Sequence, residues 1–145
     1  MPEFRYAKGR IGNSLQFISR EMKEFQEEYA QKTWEDYRKD GKLEKLMDRT
    51  VENILTALIE VCGTVLTEEG IEVESYGSAL RKCAELFGFP PPEQEHLASL
   101  AIQRNRLAHQ YLNFKWQTIK MFKEQDQLVL RLLTKVLERE DKRTP

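Results

Sequence analysis

Proline is nearly missing from the interior of this 145-residue chain: Pro2, the run Pro90-Pro91-Pro92 and Pro145 leave one hard break between the ends. Cysteine is as scarce. Cys62 and Cys83 have no CxxC spacing and no histidine close enough to suggest zinc, which excludes a disulfide framework and leaves no expected metal site. They are expected to be reduced core thiols of a cytoplasmic protein. No apolar run approaches the roughly 20 residues that span a bilayer, so no membrane partner is expected. The stretch Met1 to Arg20 lacks the apolar core and cleavage site of a signal peptide. An excess of one charge is also missing, with 23 Lys+Arg against 24 Asp+Glu. At 40% hydrophobic and 32% charged residues the chain is neither disordered nor a membrane protein. Its length fits one domain, residues 1–145, with a real core that needs no covalent staple.

What is present is helical periodicity. Ile11, Leu15, Ile18, Met22, Phe25 and Tyr29 alternate steps of four and three, one stripe along a helix. Leu43, Leu46, Met47, Val51, Ile54, Leu55, Leu58, Ile59, Cys62, Val65 and Leu66 continue the pattern on a longer helix, after a turn at Lys39-Asp40-Gly41. Gly70 breaks that helix. A short helix from about Ser78 to Phe87 follows, with Gly88 where a C-terminal cap glycine belongs. Pro91 and Pro92 open a fourth helix carrying Leu97, Leu100, Ala101, Leu107 and Ala108. Asn113 is placed to cap a fifth, holding Ile119, Phe122, Val129, Leu132, Leu133 and Val136. The expected fold is all-α: an antiparallel bundle of four main helices and one short one. Residues 138–145 read as a charged tail that frays.

The near-neutral total hides a division. From His96 to Lys123 there is no Asp or Glu, while Arg104, Arg106, Lys115, Lys120, Lys123 and both histidines lie there. From Thr50 to Leu80 the chain carries Glu52, Glu60, Glu68, Glu69, Glu72 and Glu74 and no Lys or Arg. The basic segment suits a phosphate-bearing ligand; equally, the two segments suit facing each other in the bundle or across a dimer.

Within the fourth helix, projection at about 100° per residue sets Arg104 in the middle of the apolar stripe. An unpaired guanidinium is costly to bury, so it requires an acidic partner, a carbonyl, a ligand or an opening in the packing. Asp48 and Glu52 on the long helix are the candidate partners. Tyr111 returns to the same face, and Asn105 and His109 share the adjacent one with Ala98 and Ile102, a mixed stripe suited to another subunit. Taken singly, these residues read as a paired arginine, a core-edge tyrosine and a satisfied helix-end histidine. Taken together they supply a phosphate clamp, a polar donor, a group titrating near neutrality and a hydroxyl. His96 is expected to be exposed. Trp34, Tyr37, Phe114 and Trp116 have the spacing of core or interface aromatics, with base stacking as the alternative.

The run Arg104-Asn105-Arg106-Leu107-Ala108-His109-Gln110-Tyr111 resembles the Arg-x4-His-x-Tyr motif of the HEPN superfamily, specifically HepT-like toxins. The likeness extends over about residues 43 to 122, through Val51 to Cys62, Glu74-Ser75-Tyr76 and Leu86-Phe87-Gly88. The resemblance implies an all-helical ribonuclease in which Arg104 and His109 are catalytic and Asn105 supports them. It implies that Tyr111 accepts AMP from a cognate MNT-type nucleotidyltransferase antitoxin, and that a homodimer forms a composite cleft. Many relatives carry an acidic residue shortly after the tyrosine, where this chain has Asn113-Phe114-Lys115.

RNA brings its own nucleophile, the 2′-hydroxyl, so its cleavage needs a base, an acid and a cation on the developing charge, and no metal or other cofactor. The expected activity is metal-independent endoribonuclease action by a toxin of a type VII-like toxin–antitoxin pair, with RNA and the antitoxin as partners. The alternative is a non-catalytic helical partner, or substrate-binding subunit, of a nucleotidyltransferase.

Overall fold

In the computed structural model residues 2–104, 107 and 112–143 are described, the side chains of residues 2–9 and Leu112 apart. Among the described residues six α-helices follow one another: α1 (Pro2–Glu24), α2 (Trp34–Lys39), α3 (Gly41–Glu68), α4 (Tyr76–Leu86), α5 (Pro91–Arg104) and α6 (Leu112–Arg143). The last turns of α1 widen into a π-helical segment, Phe25–Tyr29. Among the described residues there is no strand, so the all-α bundle expected from the periodicity is the fold. The four long helices are α1, α3, α5 and α6. The short helix α4 lies where expected, and α2 is an addition.

The helix α2 has six residues, four of them charged, and is too short to show a period. Its signature is its start: the Thr33 hydroxyl accepts from the Asp36 N–H, and the Asp36 carboxylate accepts from the Thr33 N–H. This reciprocal cap satisfies two otherwise orphaned donors. Asp40 then ends α2 and caps α3, accepting from the Lys42 and Leu43 N–H groups.

The long helix α3 packs against every other helix. Val51, Ile54, Leu55, Leu58, Cys62, Val65 and Leu66 are fully buried on it. By length and composition α3 is apolar enough to cross a membrane, although the sequence shows no unbroken apolar run; its apolar stretch lies mostly inside the bundle. Phe25 meets Phe122 of α6 edge to face, ring centroids 5.0 Å apart, joining α1 to α6 across the core. Cys62 and Cys83 are buried and unbridged, and the hydrogen bond between them, with burial, pushes the Cys62 thiol well up.

Both expected glycine stops are present. Gly70 and Gly88 have φ of +73° and +81°. After each, the next N–H reaches back six residues' span: Ile71 donates to the Leu66 carbonyl at 2.8 Å and Phe89 to the Ala84 carbonyl at 3.0 Å. Pro91 begins α5 as expected.

Two expectations are corrected. Asn113 is not the cap of the last helix but lies inside α6, which has begun by Leu112. Residues 138–143 do not fray; they continue α6. Arg139 contacts Glu68, the last residue of α3, and Glu69, its C-cap, each at 3.1 Å, and Arg143 also pairs with Glu68. A charged end is held in place because its charges are opposed by the acidic end of α3.

At the other end of α3, Trp34, Tyr37 and Trp116 form an aromatic cluster, the Tyr37 and Trp116 centroids 5.2 Å apart. The Tyr37 hydroxyl donates to Asp48 at 2.7 Å, and the Lys115 ammonium lies 3.3 Å from Glu44 and 3.7 Å from Asp48. These three aromatics serve the core, while Phe114 is exposed. Burial pushes the Asp48 carboxyl up, against the pull of Tyr37 and Lys115. The folded chain therefore keeps this proton to higher pH than the unfolded chain. The residue contributes most stability below the ordinary Asp pKa of about 3.9, and that contribution is lost as pH rises through the raised value. Urea unfolding of Asp48→Asn beside the parent protein, at about pH 3 and about pH 7, should show the stability difference moving in the variant's favour at the higher pH.

Candidate ribonuclease site

The apolar face of α5 drives the helix against the bundle through Leu97, Leu100 and Ala101, and Leu107 beyond it is buried as well. Arg104 is carried on that same face at the last turn of α5, and the packing stops there. Its side chain is half-buried at the edge of a groove between α1, α3 and α5. The Arg104 Nε donates to the Thr56 hydroxyl at 2.7 Å, and the guanidinium carbon lies 5.7 Å from the centre of the Tyr76 ring. Neither Asp48 nor Glu52 is its partner, contrary to expectation. Asp48 is engaged with Tyr37 and Lys115, and Glu52 lines the groove without an ion pair to Arg104. One neutral oxygen and one aromatic face fix the guanidinium while leaving its charge uncompensated by any carboxylate among the described residues.

The groove encloses about 590 Å³ and is lined on α3 by Arg49, Glu52, Asn53, Thr56, Ala57 and Glu60. The polar members recur at helical spacing, so they form a hydrophilic stripe beside the buried apolar face of the helix. The opposite wall is α1, through Asn13, Ser14 and Phe17. The two walls are tied where Asn53 donates to the Glu21 carboxylate at 2.9 Å.

The helices that flank the motif are positioned independently of it. The Thr118 hydroxyl of α6, fully buried, is shared between the Gln103 and Phe114 carbonyls, 3.2 Å from each. It joins the end of α5 to the first turns of α6. Lys115, with its two carboxylates, holds those same turns to α3. Lys115 thus supplies the cation of an interhelical tether.

Asn105, His109 and Tyr111 lie outside the described residues, so their placement relative to Arg104 is not stated. His96 is exposed, as expected. Among the described residues no group of three His, Cys, Asp or Glu side chains is placed to hold a metal ion. The two oppositely charged segments do not neutralise each other through ion pairs among the described residues. Lys115 turns to Glu44 and Asp48, Glu68 and Glu69 are met by α6, and Lys82 meets Glu74. Thr56 and Tyr76 were missed as Arg104 partners. The signal for Thr56 was the polar stripe on α3; Tyr76 had none, because its ring reaches Arg104 only through the packing of α4 on α5.

The class so far is an all-α bundle that presents an arginine, held by a neutral hydroxyl and an aromatic face, at an open groove. The ribonuclease HepT-like family matches residues 18–137, from within α1 almost to the end of α6. The chain belongs to that family, which supports ribonuclease activity at the family level. No curated protein matches the chain.

Because Thr56 anchors Arg104 through its hydroxyl, Thr56→Val should lower RNA cleavage about tenfold, the order expected for a hydrogen bond to a charged group. Thr56→Ser, which keeps the oxygen, should stay near the parent rate. Steady-state cleavage of a short RNA by the three proteins checks this.

Proposed function

We propose that the chain is a metal-independent endoribonuclease, the toxin of a type VII-like toxin–antitoxin pair acting on cytoplasmic RNA. The observation that carries this is the Arg104 guanidinium at the mouth of a groove, fixed by Thr56 and Tyr76 and in no ion pair among the described residues. A cation already oriented before substrate arrives stabilises developing phosphorane charge with little reorganisation.

In this reading the 2′-hydroxyl of the substrate attacks the adjacent phosphorus and His109 takes its proton. The P–O5′ bond breaks, a 2′,3′-cyclic phosphate forms, and the 5′ oxygen needs a proton in turn. One histidine does not serve both ends of a single step. A homodimer that brings two motif helices to a composite cleft supplies His109 of the second copy as the acid. Arg104 holds the phosphate, and Asn105 is the supporting polar residue.

Tyr111 gives the control. Transfer of AMP to its hydroxyl by a cognate MNT-type nucleotidyltransferase antitoxin adds a bulky anion seven residues from Arg104. That charge competes with the substrate phosphate, and its bulk blocks the site.

Cleavage of a defined RNA in excess EDTA should proceed with the unmodified protein and fall at least about a hundredfold in His109→Ala, the loss expected for a general acid–base residue. Unchanged cutting by that variant would remove His109 from catalysis; no cutting by the unmodified parent would favour the non-catalytic partner of a nucleotidyltransferase. In cells, Tyr111→Phe should stay toxic beside the antitoxin, with growth as the readout, whereas full neutralisation would mean silencing by binding alone.

A further inference from the structure

The groove beside Arg104 is larger than one phosphate needs, and its Glu60 end carries the wrong charge for a second. Its lining holds two cations, Arg49 and Arg104, and two carboxylates, Glu52 and Glu60, with no ion pair to Arg104 among the described residues. Arg49 begins the α3 stripe and Glu60 ends it, with Thr56, the Arg104 anchor, one turn before Glu60. A second phosphate at the Glu60 end would meet the Glu60 carboxylate, while Arg104, held one turn away at Thr56, is taken by the first.

What fits there is a flat ring with N–H donors on its edge. The helix α1 runs antiparallel to α3, with Glu21 at the level of Asn53, so Phe17 comes opposite Ala57 and Asn13 and Ser14 opposite Glu60. Of the residues lining this part of the groove, Phe17 and Ala57 give the slot its apolar members and Asn13, Ser14 and Glu60 its polar ones. A volume of about 590 Å³ holds a nucleoside phosphate. Single-stranded RNA is read in this manner, by splayed bases stacked on an aromatic face and hydrogen-bonded along the Watson–Crick edge.

Building on the ribonuclease reading above, we propose that this groove is a nucleobase pocket selective for guanine, with Glu60 as the residue that reads it. An ionised carboxylate only accepts hydrogen bonds, and it has two oxygens. Guanine offers two neighbouring donors, N1–H and the 2-amino group, which match both oxygens at once. Adenine and cytosine set a ring-nitrogen acceptor beside their amino group and so turn a lone pair toward the carboxylate. Uracil has one ring N–H between two carbonyls. The base sits in the slot while its phosphate reaches Arg104 at the mouth, so Glu60 selects the nucleotide next to the cleaved bond.

The full-length protein is tested in two ways. Calorimetric titration with 3′-GMP, 3′-AMP, 3′-CMP and 3′-UMP should show 3′-GMP bound about tenfold or more tightly than the others, the discrimination of one bidentate base contact. Mapping of cuts in a random-sequence RNA should show the same preference. Glu60→Gln presents an N–H to the guanine donors and should remove both preferences without lowering the Tm, since Glu60 is exposed. Equal affinity for the four nucleotides, or a guanine preference unchanged in Glu60→Gln, would overturn the proposal. Cleavage without any base preference would sink the pocket and leave the ribonuclease standing. A Glu60-dependent preference for 3′-GMP in a protein that cuts no RNA would uphold the pocket and sink the ribonuclease.

Discussion

Burial of α3 is the constraint on which the rest depends. A 28-residue helix that touches every other helix has to carry a long apolar face, and twelve of its residues are buried. The other five helices are arranged by what they cover. Along its middle a line of polar residues, from Arg49 to Glu60, is left out of the core, and a groove opens along it because polar side chains resist being covered without partners. Arg104 reaches the same line and takes its hydrogen bond from the helix that organises the fold. Placement of the cationic group is thus a consequence of packing and not of a mobile surface loop.

The connection from α5 to α6 is bounded by two fixed points. Thr118 joins the two helices directly, and Lys115 ties α6 to α3 through Glu44 and Asp48, with the Tyr37 hydroxyl completing the network. Half-buried ion pairs of this kind add little net stability, since desolvation offsets most of the attraction, but losing one partner leaves a costly orphan. Their effect is register: α6 is held at one position along α3. The cluster of Arg139 and Arg143 with Glu68 and Glu69 does the same at the opposite end.

The elements that were legible in the sequence are those with long apolar stripes or explicit stops. The stripes of α1, α3 and α6, the glycines at 70 and 88 and the prolines opening α5 all act through local geometry. The helix α2 was not legible by period, although its Thr33–Asp36 cap was written in the chain. The expected fraying after residue 137 failed because a run of charges says nothing of whether opposite charges wait across the bundle. Arg104 stood out for a sound reason, its place on an apolar face, yet both acidic partners considered for it were wrong. Carboxylates were the obvious counter-charges; a hydroxyl and an aromatic face are a weaker sequence signal, and they hold the guanidinium without an ion pair.

By itself the sequence determined the helical class, the order of the main helices, the oddity of Arg104 and the motif that links the chain to HepT-like ribonucleases. Each of these follows from residue type and spacing along one helix, where the 3.6-residue repeat converts order into geometry. Only the tertiary structure decided which groups meet across helices: Thr56 and Tyr76 at Arg104, Lys115 between Glu44 and Asp48, and Phe17 facing the polar stripe of α3. Such pairings depend on the crossing and axial offset of packed helices, which the combined burial of many side chains sets and no single segment encodes.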